Sequence, residues 1–313
     1  MTSDSRPAAA AGHLPIGGKH VARLGFGAMQ LPGPGAWGPP ADRDVAVAVL
    51  RTACELGVDY VDTAGFYGPN VANDLIREAL CPYPDHVLIG TKVGVVRDEW
   101  RSWNAATSPR QLRDQVEETL SELGVDRLDL VYLRVGGDGL LLPDEVPFDE
   151  SVGALAELRG KGLIGELGLS GVTAGQLEAA RAVVPIAAVQ NRFHLLDRGS
   201  ADVVRICAGD GIVFTPYFPL AAGMLRPGLD KSSIPHGMGL TGDQEATLGR
   251  IAREHHVSWP QVALAWLLAY SPATLVIPGT GSVAHLRENV AAAGLVLTAA
   301  EVDELTSFVQ DEH

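Results

Sequence analysis

The chain alternates between short apolar runs and longer segments in which apolar residues recur every three or four positions. Near-continuous apolar runs are typical of parallel strands, because both faces of such strands are covered. The eight runs begin at Val21, Val58, Val87, Arg127, Ile164, Ile186, Gly211 and Ala273. They predict eight parallel strands.

Helical periodicity fills most of the intervals between these runs. Ser108 supplies an N-cap, Pro109 stands in the first turn, and Gly124 follows the last turn of one such segment. The predicted helices cover Ala41–Gly57, Arg110–Leu123, Asp149–Arg159, Gly175–Val184, Ser200–Ala208, Asp243–His256, Pro260–Ala269 and Val283–Ala293, with a terminal helix near Ala300–Val309. Strands that alternate with helices in this way close naturally into a (β/α)8 TIM barrel.

An open doubly wound sheet is the alternative fold, and it usually carries G-x-G-x-x-G after its first strand. Gly25-Phe26-Gly27 lacks the third glycine, so the barrel is favoured. We expect residues 1–12 to be a flexible N-terminus and residues 13–313 to form one domain, with a β-hairpin over His13–His20 and an extra C-terminal helix. Irregular segments at 33–40 and 224–241 should lie at the catalytic face.

Composition narrows the choice of partners and location. The formal net charge of −14 argues against nucleic acid or an anionic membrane as the main partner. The three cysteines lack C-x-x-C spacing, and the first residues lack a long apolar run, so we expect a cytoplasmic protein. The adjacent pair His255-His256 cannot face one point from a helix, and we expect no metal site.

Three polar side chains follow predicted strands where a barrel places catalytic groups. Asp62 and Tyr67 follow the second strand, and Lys92 ends the third. Singly they could be a helix cap, a packed ring and an ion-pair partner. Together they suit carbonyl reduction, which needs a proton as well as a hydride. A phenol with a pKa of about 10 is a poor acid near neutrality, but a neighbouring ammonium should lower that pKa, and a carboxylate should keep the ammonium charged.

The segment Gly57–Gly68 resembles the signature of the aldo/keto reductase superfamily, in which Asp, Tyr and Lys at these relative positions form the catalytic set. Segments beginning at Gln190, Phe214 and Val276 are similar to the superfamily's cofactor-binding segments in order and spacing. The resemblance covers nearly the whole chain. It implies an NAD(P)H-dependent oxidoreductase with a small-molecule carbonyl substrate.

Other segments resemble the bacterial pyridoxal reductase branch of this superfamily: those beginning at Arg23 and Asp62, and the pair Leu133-Arg134. Most of the superfamily has a histidine where this chain has Arg134. A guanidinium stays charged and cannot shuttle protons, but it can hold an anion. We hypothesise that Arg134 pairs with an oxygen such as the phenolate beside the aldehyde of pyridoxal. The alternative is that Arg134 turns away to a carboxylate such as Asp138.

The resemblance further implies NADPH, with NADH less favoured, bound at the mouth of the barrel. Tyr217 would stack on the nicotinamide, and Ser170 and Gln190 would hydrogen-bond its carboxamide, although both could instead make strand-end hydrogen bonds. The family's asparagine after that serine is Gly171 here, so one amide contact is missing or replaced. The other predicted cofactor contacts are Gly27, Met29, Phe218, Leu220, Ala222, Gly223, Gly279, Thr280, Ser282, His285, Arg287, Glu288 and Asn289, of which Ser282, His285 and Arg287 are candidates for a 2′-phosphate.

Five further residues are predicted to line a substrate pocket, although any of the tryptophans could simply cover a loop and a packed or solvated histidine is favoured at position 194. They are Gln30, Trp37, Trp100, Trp103 and His194. The function predicted first is reduction of a small aldehyde, with pyridoxal as the leading candidate. The alternatives are a reductase of another metabolic carbonyl, such as a sugar or a secondary-metabolite intermediate, and a cofactor-binding barrel with weak catalysis. The sequence leaves the oligomeric state open.

Overall fold

The computed structural model describes residues 6–228 and 239–309. The predicted hairpin consists of the antiparallel strands β1 (His13–Ile16) and β2 (Lys19–Ala22). Ahead of it, Pro7–Ala11 form a 3-10 turn in which Ala8 is fully buried and donates its N–H to the carbonyl of Leu56. This part of the segment that we expected to be flexible is therefore packed on the fold, because its alanines bury apolar surface. Residues 1–5 lie outside the described part of the chain.

A parallel sheet of seven strands forms the centre of the described structure. Across the sheet its strands follow the order of the chain, as β–α–β crossovers produce. They are β3 (Phe26–Gly27), β4 (Tyr60–Asp62), β5 (Leu88–Val93), β8 (Leu128–Arg134), β9 (Ile164–Ser170), β10 (Ile186–Gln190) and β11 (Val213–Phe214), while β6 (Val95–Arg97) and β7 (Trp103–Ala105) form a separate antiparallel hairpin after β5.

The run predicted as the eighth strand contributes only single bridges. Thr274 bridges to Phe214 at one edge of the sheet, and Val276 bridges to Leu24 beyond the other. Pro272 and Pro278 flank this run. A proline has no N–H to donate, which limits the length of a regular ladder here.

Ten helices are described, and they match the predicted ones within a few residues with one exception. They are α1 (Arg43–Glu55), α2 (Val71–Leu80), α3 (Pro109–Leu123), α4 (Phe148–Gly160), α5 (Ala174–Arg181), α6 (Ala201–Asp210), α7 (Gly242–Glu254), α8 (Trp259–Tyr270), α9 (Val283–Ala291) and α10 (Ala299–Thr306). The sequence analysis missed α2. Its N-cap, Asn70, adopts a left-handed conformation and makes no side-chain cap hydrogen bond. No helix of the described residues is long and apolar enough to cross a membrane.

Two apolar clusters fill the fold. The larger lies between the sheet and the helices, and the smaller includes Leu88, Leu130 and Val213 from the strands. Within the smaller cluster, the hydroxyls of Tyr60 and Tyr132 are 2.9 Å apart. Tyr60 stands two residues before Asp62 on β4 and therefore points to the same side of the sheet. The smaller cluster thus forms a packed floor beneath Asp62.

Candidate active site

A buried ion pair lies where β4 and β5 end. The ammonium of Lys92 is 2.6 Å from Oδ1 of Asp62 and donates a second hydrogen bond, of 2.9 Å, to the carbonyl of Thr63. Both charged side chains are only 4% exposed. The other oxygen of Asp62, Oδ2, accepts a hydrogen bond of 2.8 Å from the side-chain amide of Gln190. The pair is therefore fixed by neutral partners on both sides.

Tyr67 lies beside this pair, with the Lys92 ammonium 4.8 Å from the centroid of its ring. Burial raises the pKa of Tyr67, and the charge and hydrogen bond of Lys92 oppose this without overcoming it. Burial acts to lower the pKa of Lys92, but Asp62 and Tyr67 together raise it. The expectation that the pKa of Tyr67 would fall is therefore wrong, because desolvation of the phenolate outweighs the effect of the ammonium. Tyr67 stays a protonated phenol at neutral pH.

These three residues open into a cavity of about 810 Å³. Phe66 and Trp103 line it next to Tyr67, with ring centroids 5.2 and 6.5 Å from that of Tyr67. Predicted site residues that line the cavity are Gly27, Met29, Gln30, Asp62, Tyr67, Lys92, Trp103, Arg134, Ser170, Gln190, Tyr217, Phe218, Leu220, Ala222, Gly223, Gly279, Thr280 and His285. The chain thus brings the predicted catalytic residues and most of the predicted cofactor contacts to one cavity.

Arg134 ends β8 and lines this cavity, but its guanidinium is already paired. Nη2 lies 2.7 Å from Oδ2 of Asp138, and Nη1 donates a hydrogen bond of 2.8 Å to the carbonyl of Val135. The Arg134 side chain is 12% exposed. Arg134 therefore does pair with Asp138, as the alternative interpretation expected, but its side chain still lines the cavity.

Asp138 also binds the hydroxyl of Tyr217, which donates a hydrogen bond of 2.5 Å to the same Oδ2. Burial acts to raise the pKa of Asp138, but the hydrogen bond from Tyr217 and the charge of Arg134 overcome this and lower the pKa below its usual value. Burial raises the pKa of Tyr217, and Asp138 adds to that rise. One carboxylate thus links the arginine to the aromatic ring.

Three predicted pocket residues lie elsewhere. Trp100 is 80% exposed and does not line the cavity, because the turn between β6 and β7 carries it into solvent. Trp37 lies behind the cavity wall, where the Arg97 guanidinium packs between its ring and that of Trp103, at 5.1 and 4.1 Å. His194 is buried, and its Nδ1 accepts the N–H of Leu196, so it organises its own loop.

The predicted cofactor segments differ in how closely they approach the cavity. The hydroxyl of Ser170 is buried and has no hydrogen-bond partner, which leaves it available to a ligand. A Cβ on Gly279 would lie 2.6 Å from the carbonyl oxygen of Gly27, so these two backbones leave no room for a side chain there. Four predicted contacts on or next to α9 stand outside the cavity lining, namely Ser282, Arg287, Glu288 and Asn289, and Ser282 caps that helix instead.

Several cavity residues escaped the sequence analysis. Leu140 and Leu141 come from the loop after β8, Arg226 follows Gly223, and Val95 begins β6. None lies in a recognisable motif or at the carboxyl end of a predicted strand, so the sequence carried no signal for them. Among the described residues, no group of three or more His, Cys, Asp and Glu side chains is arranged to hold a metal ion.

Comparison with known proteins agrees with this geometry. Residues 23–310 match the aldo/keto reductase family. The chain is 46% identical to the pyridoxine 4-dehydrogenase of Escherichia coli over 284 residues, which cover 90% of this chain and 93% of that protein. It is 36% identical to an uncharacterized oxidoreductase of Schizosaccharomyces pombe, over 96% and 92% of the two chains. The protein therefore belongs to the aldo/keto reductase family and is an oxidoreductase.

Solved structures are similar over the same extent. An aldo-keto reductase of Bacillus halodurans, in its holo form, has a TM-score of 0.77 at 25% identity and covers 96% of this chain, with 97% of that chain covered. The aldo-keto reductase of Klebsiella pneumoniae in complex with NADPH has a TM-score of 0.74 at 25% identity, and 94% of each chain is covered. The fold is thus that of aldo/keto reductases, with helices around a curled parallel sheet.

Proposed function

We propose that the protein reduces a small aldehyde to its alcohol with NADPH, and that pyridoxal is the leading substrate. One observation carries the proposal: the buried Asp62–Lys92 pair and the Tyr67 phenol share a cavity with the guanidinium of Arg134. One relative, the pyridoxine 4-dehydrogenase, is named for pyridoxine, the alcohol that corresponds to pyridoxal. The proposal takes residues 273–277 to complete the eight-stranded barrel that frames this cavity.

The cavity residues suit a nicotinamide cofactor. The unpartnered Ser170 hydroxyl and the nearby Gln190 amide offer hydrogen bonds to a carboxamide, and the Tyr217 ring offers a face for stacking. Arg226 lines the same cavity and supplies a positive charge for a 2′-phosphate, and the ring of His285 adds a hydrogen-bond donor, which favours NADPH over NADH. When bound, the reduced cofactor supplies the hydride.

The proton comes from the protein. Tyr67 is placed to donate its hydroxyl proton to the carbonyl oxygen as negative charge develops there. The Lys92 ammonium stabilises the phenolate that remains, and Asp62 holds the ammonium in place and charged. The aldehyde gains one hydride on carbon and one proton on oxygen, which balances as an alcohol.

Arg134 would act on the substrate as a fixed positive charge. Its guanidinium can pair with an anionic oxygen beside the aldehyde and so polarise the carbonyl. We expect Arg134→Met to lower kcat/KM for pyridoxal by about 10- to 100-fold, the loss expected for one hydrogen bond to a charged group, and to affect benzaldehyde far less. Equal losses on both aldehydes would contradict the proposed pairing.

The control is Arg226→Met, which removes another cavity-lining guanidinium. We expect it to raise the KM for NADPH and to leave the preference between the two aldehydes unchanged. A second candidate function, reduction of an uncharged carbonyl, is favoured by the Asp138 carboxylate, which already neutralises Arg134. A wild-type enzyme that prefers benzaldehyde to pyridoxal would favour this second candidate.

A further inference from the structure

Gly171 follows Ser170 at the end of β9 and has a φ of +75°, a conformation that favours glycine. Its N–H is held by two acceptors, the carbonyl of Gln190 at 3.0 Å and Oδ1 of Asn191 at 2.9 Å. The register of the sheet pairs Ser170 with Arg134 on β8. Gly171 therefore stands next to the arginine that we assign to the substrate, on a backbone that is itself well anchored.

The guanidinium of Arg134 fills the space in which a side chain at position 171 would lie. A Cβ on Gly171 would be 1.8 Å from Nη1 of Arg134, 3.0 Å from its Cζ and 3.0 Å from the carbonyl oxygen of Val135. That same carbonyl accepts the hydrogen bond from Nη1. A side chain at position 171 and the present position of the guanidinium exclude each other.

The positive φ of Gly171 does not by itself explain this crowding. Gly211, which ends α6, has a similar φ of +69°, yet a Cβ added there would meet nothing within 4 Å. The two glycines therefore share a backbone requirement and differ in their surroundings. Of the two, Gly171 is the one whose missing side chain makes room for a charged group.

We propose that Gly171 is a positioning residue for Arg134 and thereby a determinant of substrate preference. The absence of a side chain at position 171 leaves space for the guanidinium inside the cavity. There the guanidinium favours carbonyl substrates that carry an anionic oxygen beside the carbonyl. This inference rests on the anion-binding role of Arg134 in the proposed function. Displacement of the guanidinium would break both the Val135 hydrogen bond and the Asp138 ion pair.

The variant Gly171→Asn tests this proposal with little backbone strain, since asparagine tolerates the left-handed region better than most residues. The atom nearest the new Cβ is the far end of a flexible side chain, so the protein should fold with the guanidinium displaced. Gly211→Asn is the matched control for an asparagine at a similar φ with open space. Arg134→Met and the double variant Gly171→Asn/Arg134→Met complete the set.

The first measurement is the ratio of kcat/KM for ortho-hydroxybenzaldehyde to that for benzaldehyde, at a pH at which the hydroxyl is ionised. We expect Gly171→Asn and Arg134→Met each to lower this ratio by roughly 10- to 100-fold. In the Arg134→Met background, Gly171→Asn should change it by less than about twofold, because the displaced group is already gone. Gly211→Asn should leave the ratio unchanged. A purely structural role of Gly171 would lower both activities equally and would overturn the proposal.

The second measurement, thermal unfolding, separates this inference from the proposed function. If Arg134→Met leaves the ratio unchanged, the anion-binding role is wrong, and the contact itself is then judged by Tm. Gly171→Asn should lower Tm more when Arg134 is present than in the Arg134→Met background. Gly211→Asn should lower Tm equally in both backgrounds. Equal losses from Gly171→Asn in both backgrounds would refute the positioning role.

Discussion

Replacing Lys92 by methionine removes one half of a buried ion pair and should lower both the stability and the activity of the protein. The Asp62 carboxylate would keep its hydrogen bond from Gln190 but lose the ammonium 2.6 Å away. A buried charge left without its partner typically costs about 3–5 kcal/mol in the free energy of unfolding. We expect Lys92→Met to lose an amount of that order, together with about 100- to 10,000-fold in kcat, because Tyr67 loses the charge that stabilises its phenolate.

A second substitution tests whether the unpaired charge of Asp62 causes the loss of stability. In the double variant Lys92→Met/Asp62→Asn, the amide at position 62 is neutral and can still accept the hydrogen bond from Gln190. The carbonyl of Thr63 would lack its partner, at a cost of about 1–3 kcal/mol, and the N–H groups of the new amide would need acceptors of their own. The double variant should therefore be more stable than Lys92→Met by up to roughly 2 kcal/mol and yet remain as inactive.

Urea unfolding at neutral pH measures the stabilities, and NADPH oxidation with a fixed aldehyde measures the activities. Arg110→Met is the control, because its ion pair with Asp114 joins side chains that are 90% and 57% exposed. It should change neither quantity measurably. The reasoning would be refuted if Asp62→Asn destabilised the Lys92→Met variant further, or if it restored activity.

Three further predictions follow from the site and its surroundings. Tyr67→Phe should lower kcat by about 100- to 10,000-fold while NADPH affinity, measured by fluorescence titration, stays unchanged; a weaker affinity would place Tyr67 in cofactor binding instead. Burial lowers the pKa of His194 to about 4, so the unfolded chain binds the extra proton first and stability should fall as pH drops from about 6.5 towards 4. That slope in urea unfolding should be shallower in His194→Gln, and an unaltered slope would assign it to other groups. Trp103→Ala should raise the KM for the aldehyde several-fold, whereas Trp100→Ala should leave it unchanged, and equal effects would contradict the position of the cavity wall.

The candidate catalytic set could be predicted because it depends on regular structure. Asp62 and Lys92 stand near the ends of neighbouring parallel strands, and parallel strands present their carboxyl ends at one face of a barrel. Trp100 and His194 were placed in the pocket wrongly for the converse reason. Both lie in loops, where packing decides whether a side chain points to the cavity, to solvent or to its own backbone.

By itself, the sequence determined the alternation of strands and helices and the position of Asp62, Lys92 and Tyr67 at strand ends, because hydrophobic periodicity is a local property of the chain. Tertiary structure alone decided the state of these groups. Burial outweighs the Lys92 ammonium in setting the pKa of Tyr67, and only the folded chain shows how deeply that phenol is buried. The tertiary structure also decided the surroundings of Arg134. The carboxylate of Asp138 approaches it from a loop, and its guanidinium fills the space beside Gly171 on the neighbouring strand. Desolvation and steric fit depend on every group that surrounds a site, and the chain brings those groups together only when it folds.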